Sequence, residues 1–163
     1  MLPIELSKDL IQKILPHRDN MLLIDTAMIL TTHNIISNAI FDANSIFVKG
    51  HFPDYPILPG VITMETMAQT CCILSVYQKT HNDAAKKNTN IKDVFPTSLT
   101  NLSIMPRLVM IQNAKFIKAI TPPIVLKTEA KYIRHIGNMH FFECHSWVDK
   151  TEVSSATIVA TIV

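Results

Sequence analysis

The chain has 163 residues, 48% of them apolar and 17% charged, with a formal charge of +2. It is long enough to bury one core and too apolar for a disordered protein. So small a charge excess, with no Lys/Arg run interleaved with aromatics, excludes an electrostatic nucleic-acid binder, and no apolar run is long enough to span a bilayer.

The first residues, MLPIELSKDL, carry an early acid and no cationic segment ahead of an apolar one, so no secretory signal is expected there. Ser7 is placed to cap a short helix through Ile14, with Asp9 in its first turn, and Pro16 ends it. MLLIDTAMIL and NIISNAIF read as strands joined by the polar TTHN. A Pro/Gly-rich loop follows. After Pro59 comes a segment apolar on nearly every side, from Val61, Ile62 and Met64 through Met67, Ala68, Cys71 and Cys72 to Tyr77. A helix apolar all round is one enclosed by other elements. The polar QKTHNDAAKKNTN beyond it reads as a loop or a frayed end.

From Ile104 onward the pattern is that of strands. LVMIQNAKFIKAI precedes a turn at TPP, and IVLKTEAKYIR alternates, with Leu126, Thr128, Ala130 and Tyr132 on one face. HIGN is a hairpin turn containing Gly137, after which MHFFECHSWV and VSSATIVATIV are separated by DKTE. This order predicts one α+β domain over residues 1–163, a curved antiparallel sheet wrapped around one long helix. Three cysteines without CxxC spacing, Cys71, Cys72 and Cys144, read as reduced core residues of a cytoplasmic protein.

Two residues carry the chemistry. Glu65 lies inside the apolar helix, where burial is expected to raise its pKa and keep it protonated as a general acid. Gln69, four residues on, shares its face and can orient the carboxyl group, and Val61 lies four residues before it. His51 supplies a base, in a loop stiffened by Pro53, Pro56 and Pro59. Gly60 begins the helix, where free N–H groups suit a developing oxyanion and a glycine permits close approach. Gly50 is read as letting the chain turn just before His51. An acid, a base and an oxyanion site are what proton abstraction beside a carbonyl requires.

The plainer reading of such residues is a solvated loop histidine and a helix glutamate paired with water or lysine. The other histidines point to structure rather than chemistry. His17, beside Arg18, is expected to cap backbone carbonyls, and His33 and His81 lie in polar loops. His135, His140 and His145 recur every five residues, so on one strand they face alternate sides and do not converge on a metal. No metal ligand set, nucleotide fingerprint or nucleophile elbow is present.

LPHRDNMLLID followed by GHFPDYPILPGVITMETMAQ resembles the bacterial FabZ-type 3-hydroxyacyl-[acyl-carrier-protein] dehydratases, which have the hotdog fold. The GHFP, PxxPGV and E-x-MAQ elements occur in family order and spacing. The resemblance implies that His51 is the catalytic histidine and Glu65 the catalytic glutamate, and that the enzyme dehydrates a (3R)-3-hydroxyacyl thioester to the trans-2-enoyl product in fatty acid biosynthesis. It further implies an oxyanion contact from the Gly60 N–H and no cofactor. Phe52, Val61, Met64, Ala68 and Gln69 would line the substrate site, although Met64, Met67 and Ala68 read equally well as core. The implied partners are an acyl carrier protein, with Arg107, Lys115 and Lys118 as contacts, and a second copy of the chain. In the family the His and Glu of one site come from different subunits of a homodimer, often assembled as a trimer of dimers.

Three stretches depart from the family pattern: Asp19-Asn20-Met21 replaces an aromatic-proline pair, Pro123 replaces a turn glycine, and the His81 to Arg107 connection is long. These suit a dehydratase of a specialised lipid or polyketide pathway as well as a housekeeping one. A hotdog thioesterase does not need the GHFP histidine, and a non-catalytic binding protein would be expected to lose the acid or the base.

Overall fold

The computed structural model describes residues 3–95 and 106–162. Its backbone is one antiparallel sheet and one long helix. In chain order the elements are β1 (Ile4–Ser7), α1 (Lys8–Ile14), a 3-10 turn at Asp19–Met21, β2 (Thr26–Ile29), β3 (Asn34–Phe41), α2 (Ile46–Lys49), α3 (Gly60–Lys86), α4 (Ile91–Val94), β4 (Pro106–Phe116), β5 (Ile124–Ile136), β6 (Met139–Val148) and β7 (Thr151–Ile162). The seven strands are ordered β1-β2-β3-β5-β6-β7-β4, and every neighbouring pair is antiparallel.

The helix α3 is what the sheet surrounds. Every residue from Thr66 to Tyr77 is buried, and the helix packs against β3, β4, β5, β6 and β7 as well as α1 and α4. Its polar letters do not spoil this. The hydroxyls of Thr63, Thr66, Thr70, Ser75 and Thr80 each donate to a carbonyl three or four residues back, at 2.7 to 2.9 Å. Thr70 also meets Ser37 of β3 at 2.7 Å, and Thr128 meets Ser146 at 2.8 Å between β5 and β6. Each of these buried hydroxyls is thus satisfied, as burial demands.

The helix does not fray where the polar run begins. It continues to Lys86, held by Gln78 donating to the Thr32 carbonyl at 2.7 Å and by a Lys79–Asp83 pair one turn apart. It ends where Asn88 adopts a left-handed φ of 53° and Thr89 N–H returns to the Ala84 carbonyl. The strand expected from Met21 is likewise shorter: β2 begins at Thr26, and the residues before it take a 3-10 turn and an irregular path toward α3. β1, unforeseen in the sequence, pairs with β2.

The alternation read in β5 holds, with Leu126, Thr128 and Ala130 buried and Tyr132 partly so. Gly137, with φ of 57°, turns β5 into β6. That hairpin sets His135 directly opposite His140, ring centroids 6.0 Å apart. The expectation that these histidines diverge was drawn for one continuous strand, and it fails because the hairpin folds the strand back on itself. Among the described residues no group of three or more candidate ligands is placed to hold a metal. The TPP turn contains a cis Pro122–Pro123 bond and no positive φ. Part of the long connection after α4, residues 96–105, lies outside the described residues. The three cysteines are free and buried, and no helix among the described residues is long and apolar enough to cross a membrane.

Ile73 sits at the centre of α3 with no exposed surface. Ile73→Ala is expected to lower unfolding stability by about 2–5 kcal/mol, whereas Ile40→Ala, at a 64% exposed position, should change it by less than about 0.5 kcal/mol. Urea denaturation of both variants checks the contrast.

Candidate active site

The first turns of α3 carry Glu65, and the N-terminal segment holds it. Gln69, fully buried, is bonded at both ends of its amide. Its Oε1 accepts from Leu23 N–H at 3.1 Å, and its Nε2 donates to the Met21 carbonyl at 2.7 Å and to Glu65 Oε1 at 2.9 Å. The i,i+4 spacing read from the sequence therefore produces the expected contact. His17 Nε2 lies 3.3 Å from the same Oε1. Both side chains of that pair are mostly buried, at 27% and 26% exposure.

His17 thus differs from its expected role. Carbonyl capping falls to Arg18, whose Nη1 donates to Leu15 and His17 carbonyls at 2.7 and 2.6 Å. With the guanidinium turned that way, the imidazole is left to face Glu65. The signal was present in the LPHR block, but nothing local says that its histidine reaches a helix 48 residues further on.

The pKa of Glu65 also differs from expectation. Burial pushes it upward, but the hydrogen bonds from His17 and Gln69 and the nearby His17 charge outweigh burial and bring it below its ordinary value of 4.5. Within this chain Glu65 is therefore a carboxylate at neutral pH. About two turns further along, burial and the Glu65 charge push the Cys72 thiol up to about 12, which leaves it inert.

His51 is held separately, in the loop from Gly50 to Pro59. His51 N–H donates to the Val48 carbonyl at 2.9 Å, and its carbonyl accepts from Ile57 N–H at 3.0 Å. Its ring Nδ1 lies 3.2 Å from the Ile57 carbonyl. A carbonyl can only accept, so Nδ1 carries the proton and Nε2 is left as an acceptor. Phe52, 55% exposed, stacks on the imidazole at 4.3 Å between centroids. The loop is tied to the segment before β5 by Leu58 N–H on the Ile120 carbonyl at 2.8 Å. Gly50 has φ of −100° and ψ of 1° with open space where a side chain would be, a conformation that other residues adopt, so its expected turning role is not required.

Between the two halves lies the start of α3. Pro59 precedes the helix, and the amides of Gly60 and Val61 have no carbonyl of the helix's own ladder to bond. A Cβ on Gly60 would stand 2.6 Å from the Phe116 ring, so the glycine makes room for that ring. Val61 is 68% exposed, whereas Met64, Met67 and Ala68 are buried in the main core. Of the expected site residues, the fold thus brings Glu65 and Gln69 together, places His51 and Phe52 together, and sets Gly60 and Val61 at the helix start. His51 and Glu65 share no hydrogen bond or ion pair among the described residues of one chain.

The family model described as FabA-like domain matches residues 15–157. A 3-hydroxyacyl-[acyl-carrier-protein] dehydratase FabZ of Campylobacter lari is 36% identical over 155 residues, covering 94% of each chain. The enzyme of the same name from Streptococcus mutans is 30% identical over 159 residues, 98% of each chain. Among solved structures, the dehydratase heterocomplex ApeI:P from Xenorhabdus doucetiae superposes with a TM-score of 0.68 at 15% identity, over 93% of this chain and 89% of that one. The fold it shares is the hotdog, a sheet around a central helix. Matched from the N-terminal LPHR block to the last strand, the chain belongs to the FabA-like family, with the FabZ dehydratases among its relatives.

Proposed function

We propose that the protein dehydrates 3-hydroxyacyl thioesters carried on an acyl carrier protein, with His51 as base and Glu65 as acid. The observation that carries this reading is the tautomer of His51: its Nδ1–H is held by the Ile57 carbonyl, so Nε2 presents a lone pair to substrate. His51 takes the C2 proton, the electron pair forms the C2=C3 bond, and the C3–O bond breaks as a proton from Glu65 converts the hydroxyl to water. The thioester oxygen gathers charge on the way, and the Gly60 N–H at the positive end of α3 is placed to receive it. Exchange with solvent then resets both groups.

A carboxylate must be protonated before it can act as an acid. Glu65 is ionised in the chain by itself, so its proton is gained when the site is completed. The second copy is the natural source of that change. β4 forms an open edge of the sheet, and Leu108, Val109, Met110 and Ile111 along it are exposed, as are Phe116 and Ile117 at its end. Proteins do not leave a long apolar edge strand in water, and pairing β4 with its copy would cover it and set His51 of one subunit facing Glu65 of the other. Arg107 and Lys115 lie on that strand and Lys118 just beyond it, so Lys118 is the best placed of the three to meet an acidic carrier once the edge is paired.

Incubation with a 3-hydroxyacyl-carrier thioester should yield enoyl product without free thiol, and His51→Ala or Glu65→Ala should each lower turnover by about 10²–10⁴. Free thiol without enoyl would make the protein a thioesterase, and binding without turnover would make it a non-catalytic carrier partner. Mixed dimers of the two alanine variants, formed by co-expression, should regain about a quarter of wild-type activity, since random pairing leaves one intact site in half the dimers. Gly60→Ala should slow turnover. Rescue by Phe116→Ala would assign the effect to crowding of the ring, and no rescue would assign it to approach of the thioester.

A further inference from the structure

Glu65 has two carboxyl oxygens, and the fold treats them differently. Oε1 receives both available donors, Gln69 Nε2 at 2.9 Å and His17 Nε2 at 3.3 Å. No protein donor among the described residues is assigned to Oε2. The Gln69 bond is in turn fixed by the backbone of Met21 and Leu23, so both donors come to Glu65 from, or are locked by, residues 17–23.

His17 bears a cost for this placement. Its Nδ1 is buried and has no hydrogen-bond partner among the described residues, an unfavourable arrangement. A ring kept in that position with one nitrogen unsatisfied is held there for what the other nitrogen does. The charged groups around it are few: Glu65 faces it, Arg18 is turned to backbone carbonyls, and Cys72, which Glu65 influences, remains a neutral thiol.

We propose that His17 is a positioning residue for the acid: together with Gln69 it anchors Glu65 through Oε1, leaving Oε2 as the oxygen that carries the proton to the departing hydroxyl. This rests on the dehydratase reading for its catalytic consequence, though not for the contact itself. An acid doubly held at one oxygen is confined to one rotamer, and its remaining oxygen points where the clamp aims it. Confinement of that kind governs rate rather than substrate affinity. The resting state would hold Glu65 ionised against His17, and the proton would arrive on the free oxygen without the clamp being broken.

The test uses the full-length wild type, His17→Phe and His17→Gln, the last keeping an N–H donor. The first readout needs no turnover: carbon-detected NMR titration of the Glu65 carboxyl. Loss of the His17 donor should move its midpoint upward in His17→Phe and less in His17→Gln, and an unchanged midpoint in both would overturn the proposal. The second is kinetic. For His17→Phe, kcat should fall about ten- to a hundredfold with KM within a few-fold of wild type, the alkaline limb set by Glu65 should move to higher pH, and His17→Gln should recover part of the rate. Equal kcat and an unmoved pH profile in folded variants would also overturn it. Should His17→Phe fail to fold, His17→Gln carries both readouts. A wild type that forms no enoyl product defeats the dehydratase reading, and the titration then decides the clamp alone.

Discussion

The amide of Gln69 is the junction on which the Glu65 half of the candidate site depends. It is fully buried, and its two ends are met by Leu23 N–H, the Met21 carbonyl and Glu65 Oε1. A buried primary amide with unmet donors or acceptors is expensive, so the segment before β2 and the first turns of α3 must come together for either to be stable. The irregular path of residues 22–25 follows from this. A regular strand beginning at Met21 would direct its backbone polar groups to a neighbouring strand, and here some of them go to Gln69 instead.

The His51 half answers to different constraints. His51 is fixed at its amide, its carbonyl and its ring by Val48 and Ile57, all within the span of a short loop, and Leu58 anchors that loop to the segment before β5. The side chains there pack in a smaller cluster, with Val48, Leu58, Ile120 and Leu126, apart from the main core around α3. Glu65 and His51 are therefore mounted on two separately packed parts of the chain. Their separation within one subunit is consistent with the open β4 edge and its exposed apolar face.

Much of this was legible in the residues. The strands from β3 onward, the enclosed helix and the Glu65–Gln69 contact follow from alternation, all-round apolarity and i,i+4 spacing, which are local rules. What escaped was set by contacts between distant segments. The polar end of α3 stays helical because Gln78 finds Thr32, and His135 meets His140 because a hairpin reverses the strand. Glu65 is lowered rather than raised because His17 reaches it across 48 residues. Burial can be estimated from a pattern; the partner that offsets it cannot.

The inward-turned hydroxyls of α3 have one more effect. Thr63, Thr66, Thr70, Ser75 and Thr80 direct their oxygens onto the backbone of their own helix. A threonine so arranged shows its neighbours a methyl group. Over its buried span the helix therefore meets most of its surroundings as a waxy rod, wetted near Glu65, where the carboxylate emerges, and along the polar turns from Gln78 onward. For a fatty chain lying alongside, that contrast would mark where hydrocarbon ends and chemistry begins.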